Sequence, residues 1–233
     1  MSTILALDTS GPVAGVALMQ SGEIAYEAMR NCGLTHSQTA MGMVEQALEC
    51  LNLEPTDVDL YAAVVGPGSF TGVRIGVCAA RAMAHAAGRP AVGVNALHAL
   101  ATGADGVDGL ICPVLDARRG QVYCAAFRWA GGPLPERALP DAAMALDDFL
   151  AALPPGEAPY FLGDGLRAHE GAIRSALGDR ARLAPPHGRY LRPAAACYAA
   201  MHQPPGAPGE LLPLYLRLPQ AERERAGREV GRG

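Results

Sequence analysis

The chain contains no lysine; all nineteen of its basic residues are arginine. That excludes a Walker-type phosphate loop, which needs a lysine to reach the terminal phosphates. Aromatic residues make up only 5% of the chain, and the formal net charge is -4. A surplus of negative charge gives no electrostatic case for tight nucleic-acid binding by this chain alone. Six histidines occur, at His36, His85, His98, His169, His187 and His202, and none has another three or four residues away. The helical His-x-x-x-His and His-Glu-x-x-His metal sites are therefore absent, and no Gly-x-Ser-x-Gly elbow is found. The cysteines, Cys32, Cys50, Cys78, Cys112, Cys124 and Cys197, form no Cys-x-x-Cys pair and read as small buried hydrophobes in a reducing compartment. No uncharged apolar run approaches the ~18 residues of a membrane helix. Asp8 breaks the first apolar segment after four residues, with no basic region ahead of it. A cytoplasmic location with no membrane partner is expected.

What is present is a repeated order of elements. Ile4 to Leu7, Val13 to Met19 and Glu23 to Arg30 read as a three-strand meander, with turns at Asp8–Pro12 and Ser21–Gly22. Helical spacing over Leu34–Leu53, a buried strand over Leu60–Val65 and a helix over Phe70–Ala87, closed by Gly88, follow. Ala91–Val94 reads as a strand and Ala96–Ala101 as a short helix. After a Gly/Asp linker the pattern restarts. Leu110–Leu115, Gln121–Trp129 and Leu134–Leu139 are the expected strands, and a helix from Asp147 is stopped by Pro154-Pro155-Gly156. A strand over Tyr160–Leu162 and helices over Gly165–Leu177 and Tyr190–Met201 complete the second half, before a Pro/Gly linker, Leu211–Leu218 and a charged tail. Two meander-plus-helix halves, 1–104 and 105–233, predict an α/β internal duplication of the actin-like ATPase (ASKHA) type.

Three motifs call for explanation. Gly66-Pro67-Gly68-Ser69, with Thr71, ends an apolar strand and opens a helix. It reads either as a loop that cradles a phosphate or as a strand-to-helix turn with Ser69 as N-cap. Asp8-Thr9-Ser10 reads either as the acidic turn that holds a metal through water in enzymes of this fold, or as a self-bonded strand-end turn. Gly72, Gly76, Ala80 and Ala84 form a small-residue stripe at a spacing of four. Two helical glycines cost roughly 1 kcal/mol each relative to alanine, so a close backbone approach is expected there. The stripe, with Ala40, Met43 and Ala47 of the preceding helix and Met83, is read either as a partner-docking surface or as internal packing on its own sheet. On the docking reading, Gly76→Leu or Ala80→Glu abolishes partner binding and leaves the domain folded. Arg118-Arg119 reads as an anion or carboxylate contact or as a solvated turn. No catalytic set and no metal ligands assemble.

The strings "LALDTS" (5–10), "GPGSFTGVRIG" (66–76), "DARRGQVY" (116–123) and "PLYLRLPQAE" (213–222) span nearly the whole chain. Together they closely resemble the TsaB (YeaZ) family, dimerisation subunits of the bacterial tRNA threonylcarbamoyladenosine biosynthesis complex. The resemblance implies a non-catalytic subunit that binds and activates the catalytic paralogue TsaD together with the ATPase TsaE. That complex modifies N6 of adenosine 37. ATP and a metal ion are then used by the partner subunits rather than bound here, and tRNA is met only through the complex. TsaD carries its metal on a His-x-x-x-His pair, and the matching positions here are Ala96 and Leu100. The helices over Leu34–Leu53 and Phe70–Ala87 are then the subunit contact, with a homodimer on the same helices when the partner is absent. Asp8, Thr9, Ser10, Gly66, Gly68, Ser69 and Thr71 become a vestigial nucleotide loop. The alternative is an active actin-fold enzyme, an ATP-dependent small-molecule kinase or a metalloprotease-like protein.

Overall fold

A computed structural model describes residues 2–33 and 35–217; Leu34, Leu218 and the charged tail from Gln220 lie outside the described residues. Strands β1 (Thr3–Asp8), β2 (Ala14–Gln20) and β3 (Glu23–Arg30) form the expected meander. Helix α1 (His36–Cys50) then leads to β4 (Leu60–Gly66), and α2 (Phe70–Ala87) leads to β5 (Ala91–Asn95). Both β4 and β5 run parallel to β1, giving the sheet order β3-β2-β1-β4-β5.

After α3 (Ala96–Thr102), the same construction recurs. It comprises β6 (Ile111–Asp116), β7 (Gln121–Arg128), β8 (Glu136–Ala145), α4 (Leu146–Ala152), β9 (Tyr160–Leu162), α5 (Leu166–Leu177), β10 (Arg182–Leu183) and α6 (Pro193–Met201). The second sheet has the order β8-β7-β6-β9-β10. Its pairings, two antiparallel and then two parallel, repeat those of the first sheet element by element. The fold is actin-like, duplicated as the order of elements predicts.

The differences from the sequence reading are local. The last strand of the second meander is Glu136–Ala145 rather than Leu134–Leu139. It contains Pro140 and irregular pairing, both tolerated because β8 is a sheet edge. The two-residue strand β10 has no sequence signal of its own. Helix α6 begins at Pro193 rather than Tyr190, with proline in the first turn, where its missing N–H costs nothing. Three cysteines, Cys112, Cys124 and Cys197, are buried as expected, but Cys32, Cys50 and Cys78 are exposed.

Each face of the first sheet is covered differently. Leu5, Leu7, Val16 and Leu18 pack against Met43, Val44 and Ala47 of α1 and Val73, Val77, Ala80 and Ala84 of α2. Their chain neighbours Ile4, Ala6, Ala17 and Met19 point the other way, as strand alternation requires, into a core shared with α3, α6 and the second sheet. Helix α3, from the first half, packs on β6 and β7, while α6, from the second half, lies across β1 to β5. The halves thus exchange a helix and share one core. Small residues make this close. Ala195, Ala196, Ala199 and Ala200 are buried in α6, and the Cys197 thiol reaches the carbonyls of Ala17 and Ile4 at 3.4 and 3.6 Å. Burial pushes that thiol up to about 12, so it is inert.

The small-residue stripe of α2 faces inward. A Cβ on Gly76 would sit 2.5 Å from Thr9 Oγ1, and one on Gly72 would overlap the Thr9 carbonyl. Ala80 and Ala84 are 0% exposed, and Ala40, Met43 and Ala47 are buried beneath α1. The docking reading of these seven residues is corrected: they hold their own sheet, and of that set only Met83 is partly exposed. Gly76→Leu is therefore expected to unfold the domain rather than to spare it. Gly76→Ala should cost about 1–3 kcal/mol through overpacking. In α1, by contrast, a Cβ on Gly42 meets open space, so Gly42→Ala should stabilise by about 0.5–1 kcal/mol. Thermal melts of the two alanine variants, moving in opposite directions, check the assignment; equal effects would contradict it.

Candidate functional site

The ends of the central strands meet at the cleft between the two sheets. At the end of β1, Asp8 is 4% exposed. Its Oδ1 accepts from the Ser10 N–H at 2.8 Å and from Ser10 Oγ at 2.7 Å. This is the self-bonded turn that Asp-x-Ser favours. Burial raises the Asp8 carboxyl above its ordinary value, and the bonds from Ser10 and the nearby His36 only partly oppose this. His36 Nε2 lies 2.8 Å from the Gly11 carbonyl and ties the turn to the start of α1.

The loop at 66–71 packs on that same turn. Ser69 N–H donates to the Ser10 carbonyl at 2.7 Å, Thr9 Oγ1 donates to the Gly72 carbonyl at 2.7 Å, and Gly72 N–H donates to Ser69 Oγ at 3.2 Å. Gly66, at φ +113°, and Gly68 leave no room for a side chain against the Leu214 and Ser10 carbonyls. Of the two readings of this loop, the structure builds the helix cap, with Ser69 at the N-cap of α2. Two amides that an anion would need, those of Ser69 and Gly72, are bonded within the chain. Thr71 is exposed on the first turn of α2.

The second half supplies the counterpart, which the sequence reading did not single out. After β9, Gly163 (φ +112°), Asp164 and Gly165 turn the chain into α5, as Gly66-Pro67-Gly68 turns β4 into α2. Both glycines crowd the Val114 carbonyl of β6, as Gly68 crowds Ser10. The Gly-x-Gly echo in the second repeat was the available signal. Asp164 Oδ1 accepts from the Asp116 N–H at 3.2 Å. Desolvation first, then the Asp116 and Asp8 charges, push Asp164 up to about 6 against the hydrogen bonds from the Asp116 and Gly165 amides.

Asp116 Oδ1 in turn accepts from the Arg118 N–H at 2.7 Å, opening a tight turn in which Arg118, Arg119 and Gly120 all have positive φ. The terminal segment fastens both halves. Leu214 N–H donates to the Val65 carbonyl at 2.7 Å, and Arg217 Nη1 donates to the Ala117 carbonyl at 2.7 Å. Tyr215 stacks on Phe70 at 5.0 Å and accepts from Arg74 Nε.

The cavity left between Asp8, Ser10, Gly11 and Asp164 is about 20 Å³, room for one water-sized group. Among the described residues no group of three His, Cys, Asp or Glu could hold a metal ion. Ala96 and Leu100, the positions matched to the paralogue's metal ligands, are hydrocarbon side chains at 0% and 2% exposure. His98 between them stacks on Phe127 at 5.4 Å, and its Nε2 lies 2.9 Å from the Pro135 carbonyl. Burial holds it below the ordinary histidine range. It is a packing residue.

Over residues 30–170 the chain matches the family model described as TsaD, tRNA N6-adenosine threonylcarbamoyltransferase. It is 35% identical over 221 residues to the tRNA threonylcarbamoyladenosine biosynthesis protein TsaB of Bacillus subtilis, covering 94% of this chain and 96% of that one. The chain belongs to the TsaB (YeaZ) family. The solved structure of YeaZ from Pseudomonas aeruginosa superposes with a TM-score of 0.80 at 26% identity, over 93% of this chain and 100% of that one. The likeness to a catalytic relative is shorter: 34% over 114 residues of a Wolbachia tRNA N6-adenosine threonylcarbamoyltransferase, 42% of this chain and 34% of that one. No described helix of this TsaB-family chain is long and apolar enough to cross a membrane.

Asp164 yields a pH prediction. Its folded value of about 6 lies above the ordinary 3.8, so the folded state holds the proton more tightly. The associated stability is complete below 3.8 and is lost as pH rises through 6. Asp164→Asn keeps an oxygen for the Asp116 amide and removes the charge. At pH 7.5 it should stabilise by about 2 kcal/mol, ~5 °C in Tm. Its advantage over wild type should vanish toward pH 4. A variant that melts lower than wild type at pH 7.5 would overturn the assignment.

Proposed function

We propose that this chain is a non-catalytic subunit in tRNA threonylcarbamoyladenosine biosynthesis. It docks on the catalytic subunit TsaD and acts with the ATPase TsaE. The observation that carries this reading is the replacement of the paralogue's two metal-ligand positions by Ala96 and Leu100, both sealed in the core. A cleft with room for a single water-sized group supports it, as does the family membership. ATP, metal and tRNA chemistry fall to the partners on this reading.

The resemblance places the subunit contact on α1 and α2, which lie side by side on one face of the first sheet. Their inner residues hold the sheet, so the docking surface is the outer face. It comprises Gln38, Met41, Gly42 and Glu45 on α1, and Arg74, Ile75, Cys78 and Ala82 on α2. Met41 is 47% exposed, a large apolar side chain in water, and Gly42 beside it keeps the surface low. Interface cores favour methionine and small, closely packed groups over charge. The same face would serve a second copy of this chain when TsaD is absent.

The test is threonylcarbamoyl transfer to tRNA by purified TsaD and TsaE, with and without this chain, beside this chain alone. Activity is expected only in the full mixture. Met41→Glu combined with Ala82→Glu should weaken co-elution with TsaD by at least about tenfold and lower transfer accordingly, while Tm stays within about 2 °C of wild type. Turnover of ATP or tRNA by the isolated chain, or unchanged association of the double variant, would refute the reading.

A further inference from the structure

A second cavity, of about 490 Å³, opens away from Asp8 and Asp164. It lies where the end of α3, the loop between β7 and β8 and the start of α6 meet. Its walls include Gly103, Trp129, Gly132, Pro133, Ala195 and Tyr198. The volume is that of an ordinary small-molecule site. Trp129 is the chain's single tryptophan. Among the described residues, its Nε1 is the only buried side-chain nitrogen or oxygen without a hydrogen-bond partner. Buried indole N–H groups usually find an acceptor, and the described chain provides none here.

The charges around the cavity narrow the choice of occupant. Arg192, which also lines it, is ion-paired through Nη2 with Glu27. Glu27 also accepts from the Ala194 N–H at 3.0 Å, capping α6. The cation and the helix end are both answered from within the chain, so an anion gains little. The Thr102 hydroxyl is spent on the His98 carbonyl at 2.8 Å. What remains is two aromatic side chains, a proline, small residues and one unanswered donor.

We propose that this cavity binds an uncharged, planar heteroaromatic molecule of one or two rings. A ring nitrogen or carbonyl oxygen of the ligand accepts from Trp129 Nε1, and the ring packs on Trp129, Pro133 and Tyr198. The site is separate from the docking face on α1 and α2 and does not depend on the role proposed for that face.

The single tryptophan gives one indole N–H resonance in the spectrum of the ¹⁵N-labelled full chain, which reads the donor directly. The probes are adenine, benzimidazole and quinazolin-4-one, with indene as a matched shape that lacks an acceptor. Each acceptor-bearing probe is expected to move the indole proton downfield in a saturable way, with Kd of about 1 mM or tighter. Indene should bind at least about tenfold more weakly and cause no downfield shift. Gly132→Leu adds bulk in an exposed loop where the nearest atom to a new Cβ is 3.7 Å away, and Ala195→Leu adds it on the cavity wall. Both should weaken binding about tenfold or more, and Gly132→Leu should do so at unchanged Tm. The proposal is overturned if the indole resonance stays fixed at ~10 mM of all three acceptor probes. It is equally overturned if both variants bind like wild type, or if the free protein already shows the shifted, exchange-protected indole of a bonded donor.

Discussion

The contact between Thr9 and the first turns of α2 governs how the first half is built. Thr9 Oγ1 bonds the Gly72 carbonyl, and two glycines let the helix lie directly on the end of β1. Only a residue without Cβ satisfies this approach, which is why α2 accepts two helix-weakening glycines. The contact fixes the axial position and rotation of α2. It thereby directs Val73, Val77, Ala80 and Ala84 into the core, and Arg74, Cys78 and Ala82 outward. It also brings the Ser69 amide onto the Ser10 carbonyl, so the loop that resembles an anion cradle is closed by the strand beside it.

The same geometry recurs in the second half with different residues. Gly163 and Gly165 crowd Val114 as Gly68 crowds Ser10, and Gly163 adopts nearly the φ of Gly66. Duplication preserved the close approach of strand end and helix start rather than the side chains. Where the two copies face each other, Asp8 and Asp164 are drawn into one small space, and each carboxyl is raised by burial. Two partly desolvated acids side by side work against folding at neutral pH. The shared core around α3 and α6 is large enough to hold the halves together against that opposition.

The order of elements was legible in the sequence because it rests on periodicity and punctuation. The meanders, the Gly88 stop and the repeat all carry local signals, and the duplicated actin-like topology followed from them. What was not legible depends on which side of an element faces in. Small residues at a spacing of four mark a close approach but not its partner, so the Gly72–Ala84 stripe was as compatible with a foreign backbone as with Thr9. Strand β8 was misplaced because alanine-rich sequence with Pro140 has weak strand character. Strand β10 owes its two residues to parallel pairing with β9 alone. Asp164 was missed because its significance lies in proximity to Asp116 and Asp8, far away in the chain. The residue-level absence of a histidine pair, by contrast, needed no structure.

The closed cleft and the exposed helices are consequences of a single arrangement. The segment 211–217 bonds β4 through Leu214 and the β6–β7 turn through Arg217, tying one half to the other. Actin-like enzymes work by opening and closing such halves around a nucleotide. A chain whose strand-end turns, helix cap and terminal segment bond to one another has replaced that motion with rigidity. Rigidity is of little use to a nucleotide site that must exchange its ligand, but it suits a surface that presents two helices at a fixed angle, because a preorganised face loses little entropy on docking. The architecture thus favours the outer face of α1 and α2 over the cleft as the place where this protein acts.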